Sequence, residues 1–197
     1  TEPVLTNSCM VLPQPGFHEA LRKLTRETGT LLLIDETHTI STGPGGYTKA
    51  FGLEPDLFVL GKPVAGGVPA SVWGMSADVA ERWQSYEARK EPGYSGMGTT
   101  LSANPLQFAA LRASLEEVMT ERAYTHMEKL ADRLQRGLAE VIEANDVPWH
   151  VVRVGARVEF VCAPGPLANG SEAAKAHAPE LEAAIHLGLV NRSCLIA

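Results

Sequence analysis

Two charged side chains stand where apolar runs stop. Thr30-Leu31-Leu32-Leu33-Ile34 ends abruptly in Asp35-Glu36, and Asp56-Leu57-Phe58-Val59-Leu60 ends in Gly61-Lys62-Pro63. Ligands of open α/β sheets bind at the carboxyl ends of the strands. If the two runs are parallel neighbours, Asp35 and Lys62 open into the same crevice. A carboxylate there is costly to bury without a partner, so it serves either a ligand or a nearby helix cap or loop. For Lys62 three roles compete: a Schiff-base nucleophile, a point charge for phosphate, and a solvated surface cation. Gly66-Gly67, just downstream, permits close backbone approach to a ligand.

Other candidates surround this pair. Thr99 and Thr100 lie just ahead of Asn104-Pro105, a helix start. Hydroxyls and N–H groups at a helix N-terminus suit an anion such as phosphate, and equally a capping turn. His38 follows Asp35 closely; it is either a general base or a hydrogen-bonded neighbour of the site, and the neighbour role is preferred. Arg153 and Arg157 could grip a substrate carboxylate in bidentate fashion, though a solvated hairpin face explains them more simply. Cys9, Cys162 and Cys194 are odd in number, widely spaced and outside any CxxC or Cys/His cluster. They read as reduced, half-buried thiols, with neither a metal site nor a disulfide framework.

The elements that must position these residues alternate. An amphipathic helix from Phe17 carries Phe17, Leu21 and Leu24 on one stripe and stops at Gly29. The first apolar run then suits a strand buried on both faces, as in a parallel sheet. Ser41 to Glu54 reads as loop with at most a short helix. The second run is another buried strand, Ala70 to Met75 a third, and Asp78 to Arg89 a helix. Asn104 caps the next helix with Pro105 at its first position, and Phe108, Leu111, Leu115 and Val118 form its stripe. A longer helix, about 121 to 145, carries Met127, Leu130, Leu134, Leu138 and Val141. These stripes are expected to be core. Trp149 to Val154 and Val158 to Cys162 read as strands hinged at Gly155, and Glu180 to Leu189 as a short helix. Helix then buried strand is α/β rhythm. The change near residue 120 suggests a parallel core domain over 1–120 and a smaller α+β domain over 121–197.

The composition is that of a globular chain: 45% hydrophobic and 20% charged over 197 residues. Seventeen Lys and Arg against 23 Asp and Glu give a net charge of −6, unsuited to nucleic acid. The longest apolar runs fall far short of the ~20 residues that span a bilayer. No signal-peptide pattern is present, and a cytoplasmic location is expected. Thr1 opens the chain without Met, and Cys194-Leu195-Ile196-Ala197 reads as a strand just beginning, so a piece of a longer protein is expected.

An ordered set of motifs resembles a known family. Glu2-Pro3-Val4, Pro13-x-Pro15-Gly16-Phe17, Leu32-Leu33-Ile34-Asp35-Glu36, Pro55-Asp56-Leu57 to Gly61-Lys62, Gly66-Gly67-x-Pro69 and Thr100-Leu101-Ser102-Ala103-Asn104-Pro105 follow one another as in the class III pyridoxal-phosphate aminotransferases. The nearest branch looks like that of glutamate-1-semialdehyde aminomutase and β-amino-acid aminotransferases. The resemblance runs from Glu2 to about Val118; the remainder matches the family's small domain in rhythm only. It implies a fold-type I enzyme, part of a parallel-rich large-domain sheet plus part of a small C-terminal α+β domain.

It also implies roles. Asp35 matches the aspartate that pairs with the cofactor's pyridine nitrogen, and Lys62 the lysine that holds the cofactor as a Schiff base and then moves a proton. Thr100 matches the threonine that donates to the cofactor phosphate from the neighbouring subunit, which implies a homodimer with a shared site. Asn7 matches a polar residue near the phenolic oxygen. Thr37 stands where many relatives carry valine against the ring, and Ala103 where they often have glycine. The implied cofactor is pyridoxal 5'-phosphate. The implied reaction moves an amino group between an amino acid or amine and a 2-oxo acid or aldehyde. Intramolecular aminomutase transfer, a racemase and a truncated, non-catalytic binding module are the alternatives. The family's upstream phosphate loop and ring-stacking aromatic would precede Glu2. The 197 residues alone are therefore expected to bind cofactor weakly and turn over little. Assay of the purified chain with an amino donor and an oxo acceptor checks this, and ordinary transamination rates would refute it.

Overall fold

A computed structural model of the chain describes residues 1–93, 96–98 and 100–195. They pack as two units: residues 1–3 with 15–127, and residues 4–14 with those from Glu128 onward.

In the first unit, α1 (Phe17–Thr28) begins after Gly16 and ends at Gly29, whose φ of 67° lets its N–H reach back to the Arg26 and Thr25 carbonyls. Strands β1 (Leu33–Asp35), β2 (Leu57–Leu60) and β3 (Val72–Met75) form one sheet in that order. β1 and β2 are parallel, with Asp35 opposite Val59; β2 and β3 are antiparallel. A 3₁₀ turn over Thr39–Thr42 and α2 (Gly46–Ala50) follow β1, and a second 3₁₀ turn over Lys62–Ala65 follows β2. Ile40, Leu60 and Val64 make a buried cluster against which Phe58, Val72, Leu111 and Met119 pack. The two turns are thereby anchored to one core. α3 (Ala77–Glu87) is capped by Ser76, and α4 (Pro105–Ala113) by Asn104, whose side-chain oxygen accepts from Gln107 N–H at 3.0 Å. α4 packs on the turn that carries Lys62, then continues as a π-helical turn to Val118.

Two carboxylates tie this unit together. Asp56 takes both Arg22 guanidinium nitrogens, at 2.6 and 2.9 Å, and Leu32 N–H at 2.7 Å, fastening α1 to the sheet. Glu36 is fully buried and accepts from Thr39 Oγ1 at 2.5 Å, Tyr47 N–H at 3.1 Å and Thr48 N–H. It holds the start of α2 against the end of β1.

In the second unit, the remainder of α5 (Glu121–Ala144) precedes the antiparallel hairpin of β4 (His150–Val154) and β5 (Arg157–Val161), which turns at Gly155. Val152, Val154 and Val161 are buried. α6 (Gly170–Ala176) is capped by Asn169, and α7 (Pro179–Val190) follows. The 4–14 segment folds back on itself through a Leu5–Val11 bridge, with Val4 and Met10 buried.

Several expectations need correction. β1 is not buried on both faces: Ile34 is 1% exposed but Leu33 39%. Among the described residues, only three strands make this sheet, and its second face is partly uncovered. The helix stripes are not core either. Phe17, Leu24, Phe108, Leu115, Val118, Met127, Leu130, Leu134 and Val141 are all exposed, while Leu111 alone of the α4 stripe joins the core cluster. The helical period identifies an apolar face but not what lies on it. Residues 191–193 form a turn and Cys194 N–H returns to Leu189 carbonyl, so Cys194 and Leu195 are not in a strand; Ile196 and Ala197 lie outside the described residues. Cys9 and Cys162 are half-buried as expected, whereas Cys194 is exposed; all three are free. No helix among the described residues is long and apolar enough to cross a membrane.

Glu36→Gln is expected to cost about 3 kcal/mol, because an amide then meets N–H donors that need an acceptor. Gly46→Ala is expected to destabilise as well: its φ is 65°, and an added Cβ would sit 2.5 Å from Glu36 Oε2. Urea denaturation of the complete protein measures both. The Arg22 hydrogen bond holds the Asp56 carboxyl below its ordinary value, against the opposing pull of burial and with further help from Leu32 N–H and the charges of Arg22 and Arg26. The stability it contributes is complete above the unfolded carboxyl value of ~3.9 and is lost as pH falls through the lower folded value. Asp56→Asn is therefore expected to flatten the acid limb of the stability curve below about pH 4.

Candidate active site

The parallel register delivers Asp35 to the carboxyl end of β1. Lys62 lies one glycine beyond the end of the adjacent strand β2. Both turns leave the same edge of the sheet. Lys62 sits at φ 45°, a backbone region costing a non-glycine residue roughly 1–2 kcal/mol. Val64 and Ala65 hold it there from below, fully and nearly fully buried, while the Lys62 side chain is exposed.

Thr37 links the two strand ends. Its N–H donates to Asp35 Oδ1 at 2.9 Å, and its hydroxyl accepts from Gly61 N–H at 3.1 Å. Burial pushes the Asp35 carboxyl up. The Thr37 hydroxyl and N–H, with the nearby His38 ring and the Lys62 charge, more than offset this and hold it below the ordinary value. Asp35 is thus an ionised carboxylate with lone pairs remaining for a cationic N–H donor. His38 Nε2 and Lys62 Nζ are within hydrogen-bond distance, and Glu2 Oε2 lies 3.9 Å from His38 Nδ1. Sequence reasoning assigned no role to Glu2 or to the Thr37 hydroxyl. Neither has a local pattern to betray it, since Glu2 meets His38 only through the fold.

The remaining candidates are placed differently. Thr100 is exposed, in the turn ahead of α4, and Ala103 has φ 58°, a position that suits glycine. Thr99 lies outside the described residues. Gln107 Nε2 donates to Pro69 carbonyl at 3.0 Å and so ties α4 to the Gly66-Gly67 loop. Asn7 is exposed in the second unit, at a cavity of about 550 Å³ that Cys9, Glu159, Cys162 and Glu182 also line. Arg153 and Arg157 are already partnered. Arg153 donates to Gly155 and Glu128 carbonyls and faces Asp132 at 3.6 Å; Arg157 donates to Thr6 carbonyl and faces Glu159 at 3.8 Å. They brace the hairpin rather than offer a free fork to a substrate. Among the described residues, no group of His, Cys, Asp and Glu could hold a metal ion.

An α/β sheet whose adjoining strand ends carry an ionised aspartate and an exposed lysine is the class of protein that this geometry defines. Comparison with known proteins narrows it. The family model of the class-III aminotransferases matches residues 1–188. A glutamate-1-semialdehyde 2,1-aminomutase of Thermomicrobium roseum is 39% identical over 173 residues, covering 87% of this chain and 39% of that protein. Another, from Halalkalibacterium halodurans, is 36% identical over 193 residues, 95% of this chain and 43% of that one. The crystal structure of a Pseudomonas aeruginosa glutamate-1-semialdehyde-aminomutase in complex with PMP superposes with a TM-score of 0.95 at 50% identity, over 100% of this chain and 44% of that chain. The chain belongs to the class-III aminotransferase family, and its sheet and hairpin are parts of the fold-type I architecture. It spans less than half the length of these relatives.

Thr37→Val would keep the side-chain shape and leave Gly61 N–H without its acceptor. It is expected to raise the Asp35 carboxyl toward the ordinary value, read by carbon NMR titration, and to cost about 1–2 kcal/mol in urea denaturation.

Proposed function

We propose that the complete protein is a pyridoxal-phosphate enzyme that moves an amino group between an amino acid or amine and a 2-oxo acid or aldehyde. One observation carries this: Asp35, held ionised, and the Lys62 amine share the edge where β1 and β2 end. The donor set fits the cofactor. Asp35 is an anionic acceptor for a protonated ring nitrogen, Lys62 a primary amine for an aldehyde, and Thr100 a hydroxyl donor for a phosphate. When bound, the cofactor supplies an electron sink for the carbanion left as a substrate α-proton departs.

The chain's own residues do the rest. Asp35 would keep the ring nitrogen protonated and help orient the ring. Lys62 would hold the aldehyde end, and its amine would move a proton at the substrate's α-carbon. Thr37 would pack against the ring, while its hydroxyl helps keep Asp35 ionised. The exposed Thr100 would serve the phosphate of a second copy, so the proposal includes a homodimer with shared sites. Intramolecular transfer is the second reading, favoured by the 50% identity to a glutamate-1-semialdehyde-aminomutase.

Reduction of the complete protein with borohydride after adding pyridoxal phosphate, followed by peptide mapping, is expected to place the adduct on Lys62. An adduct on another lysine would overturn the assignment. Lys62→Ala is expected to abolish the adduct and lower turnover on the order of 10²–10⁴-fold. Supplying a semialdehyde without a second amino acceptor separates the two reactions, since only the aminomutase yields product.

A further inference from the structure

The Lys62 amine rests on His38. Nζ lies against Nε2, and an ammonium has three N–H donors and no acceptor. With the amine donating in this contact, the ring nitrogen it meets presents a lone pair. A neutral imidazole then carries its proton on Nδ1, the nitrogen that faces the Glu2 carboxylate at 3.9 Å. Two carboxylates lie beside the pair: Glu2 next to the His38 ring, and Asp35 near the Lys62 charge.

Each member is held from behind. His18, on α1, bonds the Pro3 carbonyl at 3.0 Å and so fixes the residue next to Glu2. The His38 carbonyl accepts from Ser41 Oγ at 3.0 Å, and the turn that follows His38 is anchored by buried Thr39 and Ile40. His38 itself is largely buried, its side chain 15% exposed, whereas Lys62 is a long, exposed chain on a backbone fixed at φ 45°. A rigid acceptor thus meets a flexible donor.

We propose that His38 is a positioning residue for Lys62. Whenever the lysine amine is not covalently engaged, His38 Nε2 holds it at the β1–β2 edge, with the Glu2 carboxylate 3.9 Å away favouring the proton on Nδ1. The contact stands on the geometry; what Lys62 then reacts with rests on the function proposed above. The lysine returns to the same place after each release, so its search through rotamers is removed from the path to the next bond.

Two measurements test this. In the cofactor-free complete protein, labelled with ¹⁵N-histidine, the His38 imidazole is expected in the Nδ1–H tautomer. Its Nε2 resonance is expected to move toward that of a bare imidazole nitrogen in Lys62→Met, and the Nδ1–H population to fall in Glu2→Gln. An Nε2–H tautomer, or an Nε2 resonance that ignores Lys62→Met, would overturn the proposal. Second, the rate at which pyridoxal phosphate becomes attached to Lys62 is followed by borohydride trapping. His38→Leu is expected to slow it about tenfold. His38→Gln, which retains an acceptor oxygen, is expected to restore most of the rate; an unchanged rate in His38→Leu, or no recovery in His38→Gln, contradicts the positioning role. If Lys62 takes no pyridoxal phosphate even in the unaltered protein, the proposed function fails, and the tautomer measurement still decides the His38 contact.

Discussion

Parallel pairing of β1 with β2 is the constraint from which the site follows. A parallel pair sends both chains out of the sheet at one edge, and the register of Asp35 opposite Val59 sets how far apart the two exits are. An antiparallel pairing would have sent Lys62 to the opposite edge, as the third strand shows by leaving the other way. The residues beneath serve this arrangement. Ile40 from one turn and Val64 from the other share a single cluster with Leu60, so neither turn can shift without disturbing the core.

The crossing between the turns is polar, and Thr37 makes it. One side chain satisfies Gly61 N–H and helps hold Asp35 ionised, which couples the position of one turn to the charge state of the other. The same economy recurs away from the site. Asp56 satisfies Arg22 and a β1-side amide, and Glu36 satisfies one donor in the turn after β1 and two at the head of α2. Buried or half-buried carboxylates carry much of the fixation in this unit. Each is compensated by hydrogen bonds, as low-dielectric burial requires.

Much of this was readable before any coordinates. Asp35 and Lys62 stand out because apolar runs end on them, and Asn104-Pro105 because a side-chain oxygen followed by proline is a helix start in local chemistry alone. Gly29 and Gly155 mark the turns that their positive φ requires. What was not readable is non-local. Which face of β1 is covered, and whether the stripes on α1, α4 and α5 meet anything, depends on partners in space that periodicity does not name. Glu2 reaches His38 because Thr1 bonds to β1 on one side of it and His18 of α1 holds Pro3 on the other. Arg153 reads most simply as a solvated hairpin side chain, yet it is occupied by carbonyls that no spacing rule anticipates.

The most direct measurement of the central claim is a crystal structure of the complete protein grown with pyridoxal phosphate. The account predicts continuous density from Lys62 Nζ to the cofactor, with an Asp35 oxygen about 2.7–2.9 Å from the ring nitrogen, as a charge-assisted bond requires. Cofactor bound away from the β1–β2 edge, or a ring nitrogen that meets no carboxylate, would contradict it.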